Sequence, residues 1–190
     1  MSPALTIACL VLAAIGVAAF IASYARGRRE FRDLGRLSGP TVVMLYPMYA
    51  SLTTAVLVAA AGSVWPMHVP RTLATSLGLV IVVFSSCLYI VSRAKVKTFR
   101  ATWGLTFDQL VTTGPYSVSR NPQIVGAIAF LLGVALLGRS TGALIVAVLY
   151  TCIAVLWIRL EEDALERQYG PAYREYRERV PRFLWLRPRR

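Results

Sequence analysis

Negative charge is scarce in this 190-residue chain: nine Asp and Glu stand against 21 Lys and Arg, leaving a net charge of +12. Such an excess invites a nucleic-acid partner, but the basic residues do not share one soluble face. They cluster between apolar runs, the pattern that orients helices in a bilayer, so no nucleic acid is expected. Histidine is rarer still. His68 is the single one, it has no other ligand type nearby, and it reads as a loop residue rather than a metal ligand or base. The three cysteines, Cys9, Cys87 and Cys152, each sit inside an apolar stretch, where cysteine behaves as a small hydrophobe; they match no metal spacing and predict no disulfide. A glycine-rich phosphate loop, a catalytic triad and a metal-ligand cluster are all missing, which argues against hydrolase and kinase chemistry and for no metal.

What is abundant is apolar surface. With 56% hydrophobic and 16% charged residues and a mean hydropathy of +0.57, the chain reads as an all-α integral membrane protein. Ala4 to Tyr24 is long enough to cross roughly 30 Å of hydrocarbon at about 1.5 Å per residue. Its positive charge follows rather than precedes it (Arg26, Arg28, Arg29, Arg32, Arg36), so an uncleaved span is expected, with the N-terminus outside and the Arg-rich loop in the cytoplasm. A second span covers about Thr41 to Trp65, with Pro47 inside it as an expected kink. Tyr46 and Tyr49 beside that proline read as interfacial anchors or as pocket walls. A third span, Leu73 to Val91, returns the chain to Arg93, Lys95, Lys97 and Arg100, again marking the inside.

Residues 98–123 form the longest non-apolar stretch between spans, and Gly114-Pro115 and Asn121-Pro122 predict an irregular cytoplasmic segment. Two short apolar runs follow, Ile124 to Gly138 and Gly142 to Ile158, joined by Arg139-Ser140-Thr141. They predict a tight hairpin and bring the spans to about five. Gly126, Ala129 and Gly133 lie on one stripe of the first run, as a surface for close helix packing. From Arg159 onward the chain is charged and helical in pattern, interrupted at Gly170-Pro171 and ended by Pro181. Residues 184–190, with Trp185 and three arginines, suggest a basic interfacial tail and a C-terminus in the cytoplasm. The organisation expected is therefore a scaffold of three helices over 1–102, a functional block over 103–183 and the tail.

Within the block, Glu161 and Glu162 fall where a membrane helix is expected to end, an unfavourable place for carboxylates. They either pair with Arg159 or Arg120, or accept hydrogen bonds from the hydroxyls or amino groups of a polar cofactor; the residues leave both open. Arg120 marks the cytoplasmic side or holds an anionic group, and Asn121 with Pro122 is suited to open the following helix.

The block resembles the membrane methyltransferase family that includes isoprenylcysteine carboxyl methyltransferase and the phospholipid N-methyltransferases. The matching elements are Gly114-Pro115-Tyr116, Arg120-Asn121-Pro122-Gln123-Ile124-Val125-Gly126, Glu161-Glu162, Tyr169-Gly170-Pro171-Ala172-Tyr173-Arg174-Glu175-Tyr176 and Val180-Pro181-Arg182-Phe183, in the family's order and spacing. The resemblance implies an S-adenosylmethionine-dependent methyltransferase with a cytoplasmic helical segment enclosing the cofactor, and a lipophilic small-molecule or prenylated acceptor arriving from membrane lipid. It implies catalytic roles for Arg120 and Arg159. Cofactor contacts are implied for Gly114, Pro115, Tyr116, Asn121, Pro122, Ile124, Gly126, Glu161, Glu162 and Tyr173. Asn121 stands where the family has His, and Ile124 where it has Tyr; Asn cannot transfer a proton near neutral pH. An NADPH-dependent membrane reductase related to sterol reductases, and a catalytically degenerate binding or assembly protein, are the alternatives.

Overall fold

The computed structural model describes residues 3–96 and 109–184. Six α-helices are present among them: α1 (Pro3–Leu34), α2 (Gly39–Ala61), α3 (Arg71–Lys95), α4 (Pro122–Leu137), α5 (Thr141–Tyr169) and α6 (Pro171–Arg179), with a 3-10 turn at Gly114–Ser117. Four of them, α1, α2, α3 and α5, are long and apolar enough to cross a membrane, and α4 is a shorter apolar helix. The chain is thus a multi-pass, all-α membrane protein. The boundary expected at residues 102 and 103 and, beyond Leu184, the tail expected over 184–190 lie outside the described residues.

Two helices are longer than hydropathy suggests. α1 runs past Tyr24 through the Arg-rich stretch to Leu34, so the expected cytoplasmic loop is largely helix. The Arg26–Glu30 pair, at 2.8 Å and one turn apart, supports that extension. Glu30 then accepts from the Ser38 amide (2.7 Å), the Ser38 hydroxyl (2.6 Å) and the Thr41 hydroxyl (2.7 Å), tying the end of α1 to the start of α2. α5 continues through Glu161 and Glu162 to Tyr169. The hairpin expected between residues 124 and 158 therefore forms with one short arm and one long one. The glutamates sit within a helix and not at its end, so the unfavourable C-terminal dipole does not act on them.

The core lies between α2 and α5. Leu45, Met48, Leu52, Ala55, Val56 and Ala59 of α2 are buried together with Ala143, Ala147, Ile153 and Ala154 of α5. α1 and α3 expose large apolar residues outward, among them Ile7, Ile21, Val80, Phe84 and Ile90, the surface a bilayer would cover. The small-residue stripe of α4 faces α3 rather than its hairpin partner. A Cβ on Gly126 would stand 3.0 Å from the Ser85 carbonyl and the Tyr89 amide, and one on Gly133 would stand 2.8 Å from Val82. Gly78 of α3 reciprocates, its Cβ position 3.0 Å from the Gly133 carbonyl. Glycine on both helices lets the backbones approach where lipid supplies no hydrophobic drive.

At one end of the bundle the α2–α3 link and the α4–α5 turn are interlocked. Met67 N donates to Arg139 O (2.7 Å), Thr141 N to Trp65 O (2.9 Å) and Gly142 N to Val64 O (3.1 Å). The buried Ser140 hydroxyl donates to Val64 O (2.6 Å) and caps α5 by accepting from Ala143 N (3.0 Å). Ser63, Trp65 and Arg139 adopt positive φ here. His68 is exposed in this link, and no cluster of three His, Cys, Asp or Glu able to hold a metal occurs among the described residues.

Candidate functional site

The opposite end of the bundle holds a cavity of about 600 Å³, within the size range of small-molecule sites. Its apolar depth is formed by Leu45, Tyr49, Phe130, Leu131, Tyr150 and Trp157; its polar mouth by Tyr116, Arg120, Asn121, Gln123, Glu161, Tyr173 and Tyr176. α3 contributes Ser85, Tyr89 and Ile90, so the third scaffold helix is part of the wall.

The polar residues are positioned by short-range geometry. Gly114, at φ +64, starts the 3-10 turn against the Lys95 side chain. The turn presents Tyr116, whose hydroxyl accepts from Gln123 Nε2 at 2.8 Å and whose carbonyl accepts from the Tyr176 hydroxyl at 2.6 Å. Burial pushes the Tyr116 phenol up to about 12, with the Gln123 hydrogen bond pulling the other way, so the ring is neutral at physiological pH. Asn121 precedes α4, and Pro122 opens it, buried, where a missing N–H costs nothing. Gly170, at φ +53, breaks α5 from α6, turning Tyr173 and Tyr176 back over the cavity.

The two adjacent glutamates do different things. Glu162 is buried in a clamp. Its Oε2 accepts from Arg182 Nε (2.9 Å) and Nη2 (2.7 Å), and its Oε1 accepts from Asn121 Nδ2 (3.2 Å) with Arg120 Nη1 at 3.6 Å. Around it Arg120 N donates to Pro181 O (2.9 Å), and Arg182 O accepts from the Ser119 hydroxyl (3.2 Å) and Asn121 Nδ2 (3.3 Å). The hydrogen bond to Glu162 holds the Arg182 guanidinium above its ordinary range. Glu161 instead lines the cavity, with no hydrogen bond or ion pair among the described residues. One residue along a helix is a turn of about 100°. Trp157, Ile158 and Leu165, at i−4, i−3 and i+4 from Glu161, line the same cavity.

Further polar capacity is unspent. The Arg120 side chain is 8% exposed, and its Nη1 has only the long ion pair to Glu162; its Nε and the buried Tyr173 hydroxyl make no hydrogen bond of good geometry. Burial raises the Tyr173 phenol, against a lowering by the nearby Arg120, which keeps it neutral. Buried donors in this condition are costly unless a ligand meets them.

Of the residues singled out in the sequence, Tyr116, Arg120, Asn121, Ile124, Gly126, Glu161 and Tyr173 come together around the cavity. Gly114, Pro115 and Pro122 shape the backbone behind it. Glu162 belongs to the clamp, and Arg159 is exposed and lies outside both groups. The sequence assigned no role to Gln123, Tyr89, Tyr150, Trp157, Ser119 or Arg182. Arg182 was legible only as part of the Val-Pro-Arg-Phe ending.

The sequence profile of the phospholipid methyltransferase family matches residues 73–172, more than half of the chain and most of the cavity wall, though not Tyr173 and Tyr176. The chain belongs to the phospholipid methyltransferase family. The chain is also similar to the nickel-cobalt-cadmium resistance protein NccN of Alcaligenes xylosoxydans xylosoxydans, 36% identical over 82 residues, 43% of this chain. That stretch spans only 38% of the relative's own length. No solved structure matches the chain.

Proposed function

We propose that this phospholipid methyltransferase family member transfers a methyl group from S-adenosylmethionine to a lipophilic acceptor, with its cavity toward the cytoplasm. The observation that carries the reading is the polar set facing one cavity: Glu161, with no hydrogen bond or ion pair among the described residues, beside Arg120 and the Tyr173 hydroxyl, which are buried next to each other. A cofactor with a zwitterionic amino acid and ribose hydroxyls fits that donor and acceptor set. Glu161 would accept from its amino or hydroxyl groups, and Arg120 and Tyr173 would donate to its carboxylate. Tyr116 or Tyr173, both neutral, would offer a ring face to the sulfonium. When bound, the cofactor supplies an electrophilic methyl group.

The chain's own residues then align and exclude water. The apolar depth takes the hydrocarbon part of the acceptor, α6 and the segment to Phe183 cover the polar mouth, and Arg120 orients an anionic acceptor if the acceptor is a carboxylate. Asn121 holds Glu162 and the Arg182 carbonyl, a positioning task that needs no proton transfer, so its replacement of His is compatible with this role. Ile124 leaves an aliphatic wall where a phenol is expected. Arg159, exposed, is given no part in the chemistry.

Thermal unfolding of the purified protein in detergent tests the proposal. S-adenosylmethionine and its demethylated product should each raise the midpoint, and NADPH should not. A shift with NADPH alone would replace this reading with the reductase one, and no shift with any of the three would favour a binding or assembly role.

A further inference from the structure

Among the described residues every Asp and Glu lies at the cavity end of the bundle, on the last turns of α1, the later turns of α5 and α6. The interlocked end carries two arginines and no carboxylate to neutralise them. Arg139 sits in the α4–α5 turn at φ +48. Its Nη2 reaches Met67 O at 3.4 Å, and its buried Nε has no hydrogen-bond partner. Arg71 opens α3, is exposed, and has neither hydrogen bond nor ion pair among the described residues. Both line a second cavity of about 590 Å³ whose floor includes Leu57, Val134 and Leu137. Leu57 and Leu137 are 45% and 37% exposed.

A buried guanidinium N–H without an acceptor is costly, and more so at the edge of hydrocarbon. Arg139, with such an N–H, and the exposed Arg71 at the rim of an apolar groove match a phosphodiester that carries an acyl chain, since guanidinium suits phosphate oxygens and the leucines suit the hydrocarbon. We infer that Arg71 and Arg139 form a binding site for the phosphate of an anionic glycerophospholipid, its acyl chain lying along Leu57, Val134 and Leu137. The membrane-facing apolar floor favours lipid over free phosphate. The site is remote from the methyl-transfer cavity and stands whether or not that reading holds.

The test is native mass spectrometry of the purified full-length protein in detergent with dioleoylphosphatidylglycerol, dioleoylphosphatidylcholine or inorganic phosphate added. The wild type should retain phosphatidylglycerol in preference to phosphatidylcholine. Arg71→Gln and, separately, Arg139→Gln should lose one bound phosphatidylglycerol, while Arg28→Gln/Arg29→Gln, at the other end, should keep it. Because Arg71 makes no contact that folding needs, its variant keeps the test decisive should Arg139→Gln misfold. Equal retention by wild type and Arg71→Gln overturns the site. So does equal retention of the two lipids by the wild type, or displacement of phosphatidylglycerol by inorganic phosphate.

Discussion

At the scale of single residues, the contrast between Glu161 and Glu162 decides how the site is tested. Glu162 is held by two arginines and an asparagine, so removing its charge leaves buried cations uncompensated, a loss of about 3–5 kcal/mol for a fully buried pair. Arg182 is one-third exposed, which discounts that figure through solvent screening. Glu162→Gln should therefore lower the unfolding midpoint of the ligand-free protein by several degrees (about 2–4 °C per kcal/mol for a chain of this size). Glu161→Gln should keep or raise the ligand-free midpoint, since it removes an unpaired carboxylate, and weaken S-adenosylmethionine binding by about tenfold or more, as expected for a charge-assisted hydrogen bond. Equal binding by wild type and Glu161→Gln, measured by calorimetry, would remove Glu161 from the site. The sequence marks both carboxylates as unusual but does not separate them. Which of two neighbours faces the cavity is fixed by the rotational phase of α5, and that phase is set by Trp157, Ile158 and Leu165 packing from the same helix face.

At the scale of elements, hydropathy finds every spanning helix and errs at ends where charge and helix coexist. Arg26 to Asp33 reads as loop because its residues are polar, yet the Arg26–Glu30 pair and the Glu30 bonds to Ser38 and Thr41 carry α1 through it. The small-residue stripe of α4 is legible in sequence; its partner is not, because adjacency in the chain suggests α5 while the glycines face α3. That contact predicts the result of adding side chain. Gly126→Val should force α3 and α4 apart, at about 1–3 kcal/mol for an overpacked interface, with Gly126→Ala milder. Ser85 and Tyr89, the atoms such a side chain would meet, also line the cavity, so the ligand-induced midpoint shift should shrink along with stability. An unchanged midpoint and unchanged shift in Gly126→Val would show that the two helices are not in this close register.

At the scale of the whole molecule, the cavity end carries all the described acidic residues together with most of the basic ones, among them Arg26, Arg28, Arg29, Arg93, Lys95 and Arg120. The positive-inside rule is the ground for proposing that this end faces the cytoplasm. With Cys9, Cys87 and Cys152 replaced by Ala, a cysteine at His68 should then react with an impermeant maleimide in intact cells, and one at Arg167 should not. The reverse pattern would invert the topology and move the cavity to the other face. The two ends also differ in how they are fastened. One is closed by backbone bonds between loops some seventy residues apart in sequence, Met67 to Arg139, Thr141 to Trp65 and Gly142 to Val64, with the Ser140 hydroxyl on Val64 O beside them. The other is closed, among the described residues, by side chains of Glu162, Ser119, Asn121 and Tyr176 and by a backbone bond from Arg120 to Pro181. The end fastened chiefly by side chains, where the tyrosines and Glu161 line the cavity, is therefore the end expected to part first, like tweezers riveted at the back.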